Sequence, residues 1–223
     1  MLYFYPHDYA TTIIFKSNNY LSIFSALLGV SSLIFIAKGL AIGQWIMICF
    51  ASLYGIISCI FQYYGEMITY VFMSLPIAVI ALINWQKHPY KKSAVVEVGA
   101  RVTKKQRIFM IFSAATITIV FYFILKAFNT AMLPVSTLSI TASFIAAYLS
   151  ACRSPFYALA YTVNDIVLIV LWVVAATKDT SCVPTVACFV MFLANDLYGF
   201  YNWNRIKRSQ ADGLTKELLE KEI

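Results

Sequence analysis

The feature that most restricts this chain is a succession of apolar runs, each long enough to cross a bilayer and nearly free of charge. A transmembrane helix needs about 20 consecutive, mostly apolar residues. Seven runs qualify: 20–37, 42–62, 67–86, 108–127, 133–151, 156–177 and 182–204. Segments carrying Gly, Pro or charge separate them: KGLAIGQ, YYGE, the basic stretch 87–107, KAFNTAMLP, CRSP and TKDTSC. The break at YYGE is tight, and if it is no break, two runs fuse and the count falls to six. Only 12% of the 223 residues are charged, against about a quarter in a soluble domain. So few charges cannot cover a water-facing surface, and lipid must cover much of it. The expected fold is an all-α integral membrane protein with seven transmembrane helices.

The basic residues orient the spans, because Lys and Arg collect in cytoplasmic loops. Seven spans place Lys38, the stretch 87–107, Arg153 and the tail from Arg205 on one side. That stretch alone holds Lys87, Lys91, Lys92, Arg101, Lys104, Lys105 and Arg107. The other side receives Lys16, Lys126 and Lys178. The N-terminus is therefore expected outside and the C-terminus in the cytoplasm, and an even number of spans would break the rule. On this reading the net charge of +7 belongs to cytoplasmic loops beside anionic lipid, and no nucleic acid is expected. Residues 1–19 read as an extracytoplasmic segment without the pattern of a signal peptide.

Two short motifs point to an internal repeat. The third run ends INWQK (83–87) and the seventh ends YNWNR (201–205), each placing Asn-Trp before the cytoplasmic end of a third helix. Trp and basic residues also favour that depth as interfacial anchors. The motifs fit a parallel 3+1+3 arrangement, as in the SWEET class of small-solute transporters. Its parts are a first three-helix bundle at 20–86, the basic loop 87–107, a linker helix at 108–132, a second bundle at 133–204 and a cytoplasmic tail at 205–223.

Polar groups inside the runs are the candidates for function. Asp165 and Asp196 are intramembrane carboxyls, which are costly unless they face a bundle interior or a wet cavity. At about 1.5 Å per residue each lies roughly 12–13 Å from the cytoplasmic end of its run. They stand on consecutive antiparallel helices, so they should be neighbours. Tyr157, Tyr161, Asn164 and Asp165 fall at i, i+4, i+7 and i+8; Asn195, Tyr198, Gly199, Asn202 and Trp203 at i, i+3, i+4, i+7 and i+8; Gln62, Glu66, Thr69 and Tyr70 at i, i+4, i+7 and i+8. Each set forms one helix face. Three stripes of amide, carboxyl and aromatic groups suit a polar solute with a flat ring, stacked by aromatics and hydrogen-bonded by amides. A carboxylate would also favour a cationic ring. The competing reading is that these groups bond one another as glue between helices.

Enzymatic and metal signals are weak. No GxSxG, HExxH or P-loop occurs, so no enzymatic activity, cofactor or ATP hydrolysis is expected of the chain. Cys49, Cys59, Cys152, Cys182 and Cys188 form no CxxC or metal spacing and read as packing residues.

At these residues the chain resembles the PnuC-type vitamin transporters. The likeness lies in the seven-span layout, in QYYGE (62–66) followed by a Pro-containing span ending NWQK (84–87), in AYTVNDIVLIVLW (160–172) and in FLANDLYGFYNW (192–203). It covers nearly the whole chain past residue 20. The resemblance implies a multi-pass cell-membrane protein, similar to homotrimers, that takes up nicotinamide riboside by facilitated diffusion and leaves it trapped by cytoplasmic phosphorylation. Relatives carry thiamine, riboflavin or deoxynucleosides. A different class, the substrate-binding membrane subunit of an ATP-driven vitamin importer, is the other alternative. Many members carry Trp near the start of the sixth span, where this chain has Tyr157 and Tyr161. The candidate solute-binding residues are Gln62, Tyr161, Asn164, Asp165, Asn195, Asp196, Tyr198, Asn202 and Trp203.

Overall fold

A computed structural model describes residues 24–60, 64–99, 102–130, 132–177 and 183–221. The segment 1–19 and Gln62 lie outside these residues, and of Glu66 only the backbone is described. The described chain is helical and contains no strand, only two isolated bridges, Leu40 with Val95 and Pro89 with Val96. Helix α1 is Phe24–Ala37 and α2 is Ile42–Ile60. The next rod joins α3 (Tyr64–Ile68), a π-helical turn at Thr69–Ser74 and α4 (Leu75–Lys87). Then follow α5 (Lys104–Ala127), α6 (Leu133–Ala151), α7 (Phe156–Ala176) and α8 (Val183–Lys221). Ile42–Ile60, Thr69–Lys87, Lys104–Ala127, Leu133–Ala151 and Phe156–Ala176 are long and apolar enough to cross a membrane.

Local chemistry explains where several helices depart from the apolar runs. Pro76 has no N–H to give the carbonyl four residues back, and the helix widens just before it. The Leu75 N–H bonds the Tyr70 carbonyl, a five-residue step. Helix α5 starts at Lys104 rather than at 108 because Thr103 and Gln106 form a capping box, with Thr103 N–H donating to Gln106 Oε1 at 2.9 Å and Gln106 N–H donating to Thr103 Oγ1 at 3.3 Å. Lys104, Lys105 and Arg107 of the basic stretch are thus helical. Helix α8 has 39 residues, roughly 58 Å at helical rise. It runs without a break from its apolar half into the tail, so the tail is no separate element.

Helix α6 packs against α4, α5 and α7, α7 packs against α8, and α2 packs against α4. Helix α5 lies chiefly along α6 and turns Ile111, Phe112, Ile119 and Phe123 outward. The main core sits at one end, where Ile36, Ala81, Trp85, Val96, Ala151, Tyr157, Ala158 and Trp203 form one buried cluster. Gly199 lets α8 approach closely there, since a Cβ on it would lie 3.2 Å from Tyr157 Oη and 3.4 Å from Ala37 Cβ. The same end gathers the α1–α2 turn, the segment 88–99, the α6–α7 turn and the extension of α8. Val96 N–H bonds Gly39 O, Gly99 N–H bonds Arg153 O, and the Gln210 side chain bonds the backbone of Val96 and Val98. Burial lowers the Arg153 guanidinium from its ordinary value, with Glu97 beside it acting in the opposite direction.

Candidate functional site

A cavity of about 810 Å³ runs between the helices, within the size range of small-molecule sites. Helix α7 lends it Tyr157, Tyr161, Asn164, Asp165, Leu168 and Trp172, and α8 lends Asp196. The π turn contributes Thr69, Tyr70, Met73 and Ser74. Phe50 and Tyr54 of α2 join Tyr70 in an aromatic wall, with ring centroids 4.6 Å apart for Tyr54–Tyr70 and 5.5 Å for Phe50–Tyr70. Helix α6 supplies a stripe of short polar groups, Ser136, Ser139, Ser143 and Ser150. Ser139 Oγ donates to Asn164 Oδ1 at 2.7 Å and fixes that amide. Gln44 Nε2 donates to Ser150 Oγ at 3.3 Å at the end near residues 88–99.

The electrostatics of the lining are one-sided. Asp165 and Asp196 are both buried and both line the cavity. Asp165 Oδ2 has no hydrogen-bond partner among the described residues. Among the described residues, no Lys, Arg or His lines the cavity. Two adjacent carboxylates repel unless a proton or a cation lies with them, so the cavity is a place for positive charge.

The structure brings four of the sequence candidates, Tyr161, Asn164, Asp165 and Asp196, to this cavity. The other described ones stand elsewhere. Asn195 is beside it, its Nδ2 donating to Asp196 Oδ1 at 3.5 Å. Tyr198 is exposed on the outer face of α8. Asn202 and Trp203 lie below the cavity floor, bonded to the α1 carbonyls of Ala37 and Ile36. Helical spacing does not fix depth relative to a cavity, which is why Asn202 and Trp203 part from Asp196, and the stripe was wide enough to include Tyr198 on the outer face. Phe50, Tyr54, Gln44 and the α6 serines were not singled out. Ser136, Ser139, Ser143 and Ser150 stand at i, i+3, i+7 and i+14, a spacing that marks one helix face and could have been read.

The family model described as "Nicotinamide mononucleotide transporter" matches residues 19–205 of this chain. The chain belongs to that family. The nicotinamide riboside transporter PnuC of Neisseria mucosa is 25% identical over 206 residues, covering 91% of this chain and 78% of the relative. The crystal structure titled as the vitamin B3 transporter PnuC has the same fold, with a TM-score of 0.68 at 24% identity over 90% of this chain and 87% of that one. The family is therefore the one the sequence motifs resembled, and the protein is a multi-pass membrane transporter of a small solute.

Proposed function

We propose that this chain carries nicotinamide riboside across the cell membrane. The two family names differ by one phosphate, and the lining chooses between them. A phosphate monoester brings about −1.5 to −2 charges into a cavity that offers two carboxyls and, among the described residues, no cationic side chain. The riboside brings a flat ring with one positive charge, which Asp165 and Asp196 favour and which Tyr161 and the Phe50–Tyr54–Tyr70 wall can stack. Its carboxamide and ribose hydroxyls find Asn164, Gln44 and the α6 serines. The observation that carries this reading is the carboxyl pair in a lining whose described residues include no cation. We assign solute contact to Tyr161, Asn164, Asp165 and Asp196, with Asn195 supporting Asp196.

The same charge pattern supports facilitated diffusion with trapping: riboside that is phosphorylated in the cytoplasm meets a cavity that repels it. Seven spans in a 3+1+3 arrangement, with the end bearing 88–99 in the cytoplasm, agree with the gathering of the basic segments at one end. A homotrimer agrees with the open apolar face of α5, which lipid or neighbouring subunits would cover. No enzymatic role is proposed.

A binding titration of the purified full-length protein tests the solute assignment. Nicotinamide riboside should bind at least about tenfold more tightly than the mononucleotide, a difference of about 1.4 kcal/mol. Equal or tighter binding of the mononucleotide would overturn it, and tighter binding of thiamine, also a ring cation, would move the assignment to that vitamin.

A further inference from the structure

The inner end of the cavity is closed by a reciprocal clasp between the two halves of the chain. Helices α1 and α6 end alike. Gly39 and Arg153 both take positive φ, +72° and +57°, and each follows its helix in the left-handed position of a C-terminal turn. Gly39 N–H bonds Ile36 O at 2.9 Å and Leu40 N–H bonds Phe35 O at 3.0 Å; Arg153 N–H bonds Ser150 O at 2.9 Å and Ser154 N–H bonds Leu149 O at 3.0 Å. Helix C-termini leave carbonyls that need further donors. Those donors come from the opposite half. Trp85 Nε1 donates to Ser150 O at 2.9 Å and Asn84 Nδ2 to Ala151 O at 2.6 Å. Trp203 Nε1 donates to Ile36 O at 2.9 Å and Asn202 Nδ2 to Ala37 O at 3.0 Å. Each Asn-Trp pair thus holds the first helix of the other group, in the same order and on matching carbonyls.

The clasp lies directly under the cavity. Tyr157 lines the floor and its ring is 5.1 Å from that of Trp203, which is 5.3 Å from Trp85. Both Trp side chains are almost fully buried, 1% and 0% exposed, which an interfacial anchor would not be. The segment 96–99 then crosses beneath, bonding the carbonyls of Gly39 and Arg153 through Val96 and Gly99. A solute leaving by this end must part Trp85 from Trp203, and α1 and α6 are the elements those side chains hold.

We propose that the two Asn-Trp pairs, Asn84-Trp85 and Asn202-Trp203, are the gate of the transport pathway at the end bearing residues 88–99, and that release of their four hydrogen bonds opens the cavity to that side. The inference rests on the transporter reading but not on the identity of the solute. Its test uses no solute. In full-length protein with the five native cysteines changed to Ser, Ala147→Cys places a thiol in the cavity lining, a turn above the clasp. A membrane-impermeant thiol reagent is applied separately to each face of sealed vesicles, the face bearing 88–99 being marked by a second chain carrying Ser93→Cys. The double variant Trp85→Phe/Trp203→Phe keeps an aromatic ring at each position, but a smaller one, and removes the indole N–H donors. Labelling of Ala147→Cys from the 88–99 face should rise about tenfold in it, with no rise from the opposite face, and Asn84→Ala and Asn202→Ala should each give a smaller rise of similar size. An unchanged rate from the 88–99 face overturns the gate. So does an equal rise from both faces, which would mean that the pairs only hold the fold together.

Discussion

Asp165 keeps one carboxyl oxygen without a hydrogen-bond partner among the described residues while lining the cavity, and Asp196 lines the same cavity. Asp165→Asn and Asp196→Asn keep the shape of each side chain and remove its charge. Each is expected to weaken nicotinamide riboside binding by about tenfold or more and to narrow the preference over the mononucleotide; unchanged affinity in both would remove the pair from the site. These two residues were legible in the sequence because an intramembrane carboxyl is too costly to be incidental. The serines of α6 carried no such signal, since a short hydroxyl can satisfy itself on its own helix, as Thr137 does on Leu133 O. Asn202 and Trp203 were noticed for their chemistry but not for their place. Their partners, the carbonyls of Ala37 and Ile36, lie on a helix more than 160 residues away in sequence, and no local pattern carries that distance.

At the level of elements, the apolar runs located the helices, and the chemistry of their ends set the boundaries. The run 133–151 coincides with α6, whose Pro134 stands in its first turn. Helix α5 begins earlier than its run because the Thr103–Gln106 capping box acts whatever the polarity of the residues it starts. The turn after α1 depends on Gly39, whose positive φ an L side chain adopts at a cost of about 1–2 kcal/mol. Gly39→Ala should therefore destabilise the protein by about 1 kcal/mol, read as a fall of about 2–4 °C in the unfolding temperature in detergent. A variant as stable as the parent would show that this turn does not hold the end of α1. The π turn at Thr69–Ser74 was not legible as such. Pro76 could be seen, but whether its missing donor is met by a kink or by a wider turn depends on the packing of Met73 against Ala114 and Phe144.

Across the whole molecule, α1, α2 and α4 together with α6, α7 and α8 line a cavity, and at one end α4 bonds α6 and α8 bonds α1. The two Asn-Trp motifs were legible in the sequence, while their reciprocal bonding was not, because it exists only once α1 meets α8 and α4 meets α6. On the proposed function, the charge of the lining sets selectivity: two carboxyls and, among the described residues, no cation would admit a ring cation and turn away its phosphorylated form. Uptake by the purified protein alone in liposomes tests that claim most directly. The account expects labelled nicotinamide riboside to equilibrate across the membrane without ATP or any other protein, and the mononucleotide to enter at least about tenfold more slowly. Entry of the mononucleotide as fast as the riboside, or no entry of the riboside without an added ATPase, would contradict it.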